Sequence, residues 1–226
     1  MREPEDFILY LAARELAAIR RAGISRTFPA GYVLASQGRL PESAVVIESG
    51  WVKSLHVSSQ GQRALLDFSG RGALAGEQAA LLNVVHASSI VAVCPGQALF
   101  VPRDRFARLL WERPNLGKCV QLASLVRQRS TEHHLTQICA LPPEQRLSHC
   151  LMNLGRRYGR PGDDSHDLGI PITQQDLADW TGVSRETVER ILRSWRRRGL
   201  VETRRRGVVI LQPPGLRSLA GVLPTP

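Results

Sequence analysis

Ile172-Thr173-Gln174-Gln175-Asp176-Leu177-Ala178-Asp179-Trp180-Thr181-Gly182-Val183-Ser184-Arg185-Glu186-Thr187-Val188-Glu189-Arg190-Ile191-Leu192 decides how the rest of the chain is read. Thr173 is a good helix N-cap, and Asp176 stands three residues on, where a capping box places its acid. Leu177 and Ala178 face inward, and the small Ala178 lets a second helix approach closely. Gly182 suits the left-handed residue that ends a first helix. Ser184 caps a second. In that second helix Val188, Ile191, Leu192 and Trp195 follow the i, i+3, i+4, i+7 rule and form the buried face. Arg185, Glu186, Glu189, Arg190 and Arg193 are left outward. The pattern predicts a helix-turn-helix, whose second helix enters the DNA major groove by its first turns. Arginine can pair with guanine O6 and N7, and glutamate can accept from cytosine N4.

Downstream, Val201-Glu202-Thr203 and Val208-Val209-Ile210-Leu211 are strand-like runs around the turn Arg204-Arg205-Arg206-Gly207. Two short strands about a basic turn make a wing, and its arginines suit phosphate, which positions without specifying. From Arg185 to Arg206 nine arginines stand against three glutamates, a net of +6. The whole chain of 226 residues carries +10, and only two of its 30 basic residues are lysines. A GC-rich genome also favours arginine, but the local cluster points to a polyanion.

Upstream, residues 5–22 read as a short helix carrying Phe7, Leu11, Leu16 and Ile19. Residues 26–105 alternate glycines with short β-rich runs at 32–34, 44–47, 51–57, 64–68, 89–93 and 98–101. Many short strands with turn residues between them predict a sandwich or barrel. Residues 113–141 predict one long helix, opened by Pro114. On it Leu116, Cys119, Ala123, Val126, Ser130, His133 and Gln137 follow the three–four spacing of a coiled-coil seam. A long helix beside a β domain suggests a homodimer through 113–141. Packing of the helix on its own domain is the competing reading. Leu141-Pro142-Pro143 breaks the chain, Leu147, Leu151 and Leu154 start a new apolar face, and residues 159–169 read as a polar loop.

Ile172–Leu192 closely resembles the helix-turn-helix of the Crp/Fnr superfamily of bacterial transcription regulators, headed by the cyclic-AMP receptor protein. Thr187, Val188, Arg190, Ile191 and Leu192 continue the match after Ser184-Arg185-Glu186, and Gly31, Gly50 and Gly76-Glu77 fit a β-roll. The resemblance implies an α+β chain. A β-roll sensor with an N-terminal helix spans 1–112, a dimerisation helix and hinge 113–141, and a winged helix-turn-helix 142–226. It implies a homodimer on an inverted repeat, with half-site centres about one DNA turn (34–36 Å) apart. Arg185, Glu186 and Arg190 stand where the cyclic-AMP receptor branch reads a TGTGA half-site. The candidate DNA-contacting set is Thr173, Gln175, Ser184, Arg185, Glu186, Thr187, Glu189, Arg190, Arg204, Arg205 and Arg206. RNA polymerase is a further partner if the chain activates transcription.

The sensor departs from that branch. The phosphate cassette of cyclic-AMP binders runs from Gly-Glu to an Arg-Ser pair. Here Gly76-Glu77 stands, but the place of the pair is Ala87-Ser88, and no Lys or Arg occurs from Glu77 to Pro102. A buried phosphate needs a compensating charge. His86 is the nearby substitute. Thr131 falls where the long helix closes over a nucleotide, but Glu132 beside it would repel a phosphate. The effector candidates are therefore Gly76, Glu77, His86, Ala87, Ser88 and Thr131. The expectation is control by something other than cyclic AMP, with a nucleotide held by a non-standard phosphate contact as the alternative.

Other chemistries have less support. No cysteine precedes Cys94, which excludes an N-terminal iron–sulfur cluster. Haem would need His56, His86, His133 or His134 as axial ligand. Cys119 and Cys139 sit about 30 Å apart along one helix and cannot share a metal within one chain. The four cysteines read as reduced thiols, with a redox role for Cys94 or Cys119 left open, and no metal ligands are assigned. A hydrolase built on Glu132, His133 and His134 lacks any H-E-x-x-H, nucleophile-elbow or P-loop motif. A helix-turn-helix that contacts protein rather than DNA conflicts with the basic wing. No apolar run reaches membrane-spanning length and the N-terminus is acidic, so a cytoplasmic protein is expected.

Overall fold

The computed structural model describes residues 7–161 and 166–221. Two compact units divide within the long helix, one ending at Thr131 and the other beginning at Glu132. The acidic stretch before Phe7 and the centre of the polar 159–169 segment lie outside the described residues.

The first unit opens with a 3-10 turn at Phe7–Tyr10 and helix α1, Ala13–Ala22. The single helix expected over 5–22 is thus broken at Leu11-Ala12, and Phe7 is drawn into the core instead. Eight strands follow. One antiparallel sheet has the order β1 (Ile24–Phe28), β8 (Gly96–Pro102), β3 (Ser43–Ser49), β6 (Leu74–Ala75). The other has the order β2 (Val33–Ala35), β7 (Ser89–Ala92), β4 (Val52–Val57), β5 (Arg63–Ser69). Strand β3 shows why the arrangement holds. Its period of two sends Val45 and Ile47 to a cluster with Phe28, Val52, Ile90 and Ala92. Ala44 and Val46 go to the opposite face, against Phe7, Ile19 and Phe106. Both faces are buried, so the strand reads as an unbroken apolar run.

The expected strand runs are present, each within one or two residues of its place. Missing from the sequence reading were β1, β6, the short helix α2 (Glu77–Leu82) and the helix α3 (Arg103–Glu112). Strand β1 carries four exposed residues out of five and is held by pairing along β8, from Ile24 opposite Phe100 to Phe28 opposite Gly96.

The long helix α4 spans Pro114–Ala140. The seam expected along it needs correction. Leu116, Val120 and Ala123 are buried against the sensor's own Phe7, Ile19 and Phe106, and the Cys119 thiol donates to the Tyr10 carbonyl at 3.0 Å. That stripe is the inner face in the first half of the helix. The large side chains left exposed on α4 are Leu122, Leu125 and Leu135, and helix geometry sets Leu125 opposite the buried stripe.

The second unit continues with α5 (Pro143–Tyr158), α6 (Gln174–Thr181), α7 (Arg185–Arg197) and α8 (Pro213–Ala220). The wing strands are β11 (Val201–Arg204) and β12 (Gly207–Ile210). The segment read as a polar loop contributes two short strands, β9 (Arg160–Pro161) and β10 (His166–Asp167), and β10 pairs with β12. The wing is therefore half of a four-stranded sheet. Helix α8 is held to α5 by Ser148 Oγ donating to the Leu216 carbonyl at 2.6 Å.

Candidate nucleic-acid interface and sensor cassette

Helix α6 begins with a complete capping box. The Asp176 N–H donates to Thr173 Oγ1 at 3.1 Å, and the Asp176 carboxylate accepts the Thr173 N–H at 3.0 Å. Asp176 is 2% exposed, so the box is shielded from water. Replacing Thr173 with alanine removes the first bond and the hydroxyl's 2.6 Å bond to Asp176. The expected loss is about 1–2 kcal/mol in chemical denaturation, at the upper end of cap substitutions because Asp176 keeps its burial and loses a partner.

Gly182 ends α6 at φ 65°, ψ 33°, the left-handed conformation that the turn requires. Ser184 caps α7 by accepting the Thr187 N–H at 3.1 Å. Val188, Ile191, Leu192 and Trp195 are all at most 4% exposed. Their burial fixes the rotation of the helix and turns Arg185, Glu186 and Arg190 outward, where all three are exposed. A groove of about 490 Å³ runs beside this face, with Thr173, Gln175, Arg185, Thr203, Arg204 and Arg205 among its lining. The N-terminus of α6, the start of α7 and the wing thus meet at one basic-edged concavity. Backbone N–H groups at a helix N-terminus and guanidinium groups are the donors that phosphate contacts use.

The candidate contact residues are not equally available. Gln175 donates to Asp179 at 2.7 Å. Glu189 accepts from Arg193 at 2.7 Å, a pair one helical turn apart. Arg204 is held by Glu202 at 3.1 Å and Asp167 at 3.3 Å. Arg204 is thereby a wing brace, and Arg205 is the turn arginine that lines the groove. Thr187 spends its N–H on the Ser184 cap. Arg185, Glu186 and Arg190 make no ion pair among the described residues.

One link was not legible in sequence. The Trp180 indole N–H donates to His134 Nδ1 at 3.1 Å, and the rings meet edge to face. Burial pushes His134 down to about 4, with the neighbouring His133 adding to the effect. The ring is neutral at physiological pH and free to accept. His134 is therefore a structural acceptor from the end of α4 to α6, and neither an axial ligand nor half of a chelate is needed to explain it.

In the sensor, Gly76 takes φ 73° and caps α2, with the His86 ring close beside it. Glu77 is 2% exposed. Its carboxylate is paired with Arg127 from α4, and Ser124 donates to it at 3.3 Å. Arg127 also donates to the Leu74 carbonyl at 2.8 Å. The cation of this site therefore comes from the long helix and was missed in sequence, fifty residues from Glu77. His86 is buried, and desolvation holds it below its ordinary 6.5, which disfavours its cationic form. The Ala87 carbonyl accepts from His56 Nδ1 at 2.8 Å, and Ser88 is half-buried beside it. Thr131 is exposed and returns its hydroxyl to the Arg127 carbonyl at 3.0 Å. The set brings Gly76 and His86 together and ties Glu77 to α4. The cation among them, Arg127, is paired with Glu77.

Arg127 also acts on Asp67 of β5. Burial raises the Asp67 carboxyl to about 7, against the opposing pull of Arg127. The folded chain then holds a proton that the unfolded chain releases near pH 4. The contribution of Asp67 to stability falls as pH rises from about 4 to 7 and stays reduced above that. Asp67→Asn should raise stability by about 1–2 kcal/mol at pH 8 and leave it nearly unchanged at pH 4, as read from denaturant midpoints.

Among the described residues no three His, Cys, Asp or Glu side chains cluster as a metal site. No described helix is long and apolar enough to cross a membrane.

Comparison with known proteins agrees with this geometry. Residues 25–113 match the cyclic nucleotide-binding domain and residues 145–219 the Crp-like helix-turn-helix domain. The chain is 27% identical over 177 residues to the transcriptional regulatory protein btr of Bordetella pertussis, covering 77% of this chain and 72% of that one. It is 25% identical to the CRP-like cAMP-activated global transcriptional regulator of Mycobacterium tuberculosis, covering 81% and 82%. Its fold matches that of the c-di-GMP responsive global regulator CLP of Xanthomonas campestris, with a TM-score of 0.77 over 88% and 99% of the two chains at 17% identity. With a β-roll, a long helix and a capped, basic-edged helix-turn-helix in that order, the chain belongs to the Crp/Fnr family of transcription regulators.

Proposed function

We propose that the chain is a homodimeric regulator that binds a TGTGA-like inverted repeat and whose sensor is not driven by cyclic AMP. The observation that carries the first half is the outward set Arg185, Glu186 and Arg190 on a helix whose rotation is fixed by Trp195 and its buried neighbours. Arg185 and Arg190 suit guanine and Glu186 suits cytosine. Thr173, Ser184, Thr187 and Arg205 supply the surrounding backbone contacts. The role of α4 as the dimer helix is supported by Leu122 and Leu125, exposed apolar side chains away from the stripe that Leu116, Val120 and Ala123 bury. Residues 1–112 then act as sensor, 113–141 as dimer helix and hinge, and 142–226 as reader. Such a protein works in the cytoplasm, with RNA polymerase as partner where it activates.

The second half is supported by the cassette. Glu77 is already satisfied by Arg127 and Ser124, and burial disfavours the cationic form of His86. A nucleotide phosphate would enter without a compensating cation. The retained Gly76-Glu77 and the matched domain favour one other reading, a nucleotide that displaces Arg127 from Glu77 and takes it as its counter-ion.

Fluorescence anisotropy on a TGTGA–six-base spacer–TCACA duplex, against a scrambled duplex, with and without cyclic AMP, tests both halves. Specific binding without nucleotide is the expected result. Binding only with cyclic AMP would support the second reading, and equal affinity for both duplexes would overturn the docking.

A further inference from the structure

Away from both the cassette and the DNA-reading unit, α1 and α3 border an open groove of about 340 Å³ on the first unit. Four arginines line it: Arg21 from α1, and Arg105, Arg108 and Arg113 from α3 and its end. Glu112 is the one carboxylate in the lining, and Leu109 contributes apolar floor. None of the four guanidinium groups makes a hydrogen bond or ion pair among the described residues. Asp104, the nearest other acid on α3, is taken by Arg103 at 3.0 Å.

The arrangement works against the isolated domain. Arg105 and Arg108 lie three residues apart on one helix face, where like charges repel. Arg105 also stands in the first turn of α3, where the helix dipole disfavours a cation. Arg113, at the C-terminal end of α3, and Arg21, in the last turn of α1, have the dipole on their side. Arg21 adds a fourth positive charge from a different helix, which no periodicity within α3 accounts for. Four arginines around one shallow groove are matched by a ligand with several anionic oxygens close together.

We propose that this groove is a second ligand site, for a small polyphosphate anion such as pyrophosphate or the polyphosphate of a nucleotide. Four arginines against one glutamate give the lining a net charge of +3, which corresponds to two or three linked phosphates rather than one. The volume lies at the lower end of small-ligand sites, about 300–1,000 Å³. Glu112 stands where a hydroxyl or amino group beyond the phosphates would donate to it. The site shares no residue with Glu77, Arg127 or His86, so it is independent of whether the cassette holds a ligand.

Isothermal titration of the full chain with pyrophosphate, and separately with ATP, at about 0.1 M salt tests the proposal. The expected result is saturable binding at one site per chain. Arg105→Ala with Arg108→Ala should weaken it at least tenfold, and Arg21→Ala, on the other helix, should weaken it several-fold. Arg204→Ala with Arg205→Ala in the wing should leave it unchanged. Arg21, Arg105 and Arg108 are exposed, and thermal melts of the variants verify that the fold is kept. If Arg105→Ala with Arg108→Ala lowers the melting temperature, Arg21→Ala alone decides. No saturation by millimolar ligand overturns the proposal. So does binding that is lost with the wing variant but kept with the groove variants. A poly-glutamate peptide that binds the groove when pyrophosphate does not would also overturn it, and would make the groove a protein-docking surface.

Discussion

Trp195→Ala should destabilise the winged helix-turn-helix by about 3–5 kcal/mol, enough to unfold that unit at physiological temperature. Trp195 is fully buried and is the largest such side chain among the described residues. Its removal leaves a cavity behind α7 that Val188, Ile191 and Leu192 are too short to fill. It also removes a hydrogen bond, because the Trp195 indole N–H donates to the exposed Glu144 at 2.8 Å. That second loss can be separated. Trp195→Phe keeps most of the volume and gives up the hydrogen bond, for an expected cost of about 1–3 kcal/mol. Urea unfolding followed by far-ultraviolet circular dichroism should show the two variants well apart. DNA affinity should be lost in the alanine variant and largely kept in the phenylalanine variant, because Arg185 and Glu186 keep their aim as long as the helix cannot rotate. If Trp195→Ala were as stable as the parent, α7 would be held by something other than its buried face.

The helix-turn-helix was legible in sequence because its determinants are local. Thr173 and Asp176 are three residues apart, Gly182 needs its conformation whatever surrounds it, and the buried face repeats within four turns. The strands of the sensor were legible for the same reason, since β3 and β4 are apolar runs between turn residues. What failed depends on partners distant in the chain. Strand β1 has little apolar content and exists through its pairing with β8, some seventy residues on. Arg127 meets Glu77, and Trp180 meets His134, with nothing in either neighbourhood to announce the pairing. The first half of the seam on α4 needs correction for a different reason. The helix is apolar on more than one side, so spacing found a real stripe, while only tertiary structure could say that Leu116, Val120 and Ala123 face their own domain. A heptad pattern identifies a face that wants burial and is silent on what covers it.

Arg185→Ala should lower affinity for the TGTGA-type duplex by about five- to 150-fold per half-site, the equivalent of removing one bidentate base interaction from each protomer. Affinity for a scrambled duplex should fall far less, because that binding rests on phosphate charge spread over many groups. The distinction tests the geometry and not merely the charge. Arg185 sits on the first turn of α7 immediately after the Ser184 cap, exposed and without an ion pair among the described residues, on the edge of the groove that includes Arg205. Arg205→Ala removes the same formal charge from the wing. It should weaken both duplexes by a similar factor. It should also make the fall of log affinity with log salt shallower, by about 0.9 for each phosphate that the dimer no longer neutralises. Lysine at 185 sharpens the comparison. It restores the charge but not the planar fork, so non-specific binding should recover while discrimination between the duplexes recovers only in part. Were Arg185→Ala and Arg205→Ala to behave alike, both arginines would be phosphate ligands and base reading would have to pass to Glu186 and Arg190. Were Arg185→Ala to leave discrimination intact, α7 would not lie in the groove by its first turn, whatever the fold around it.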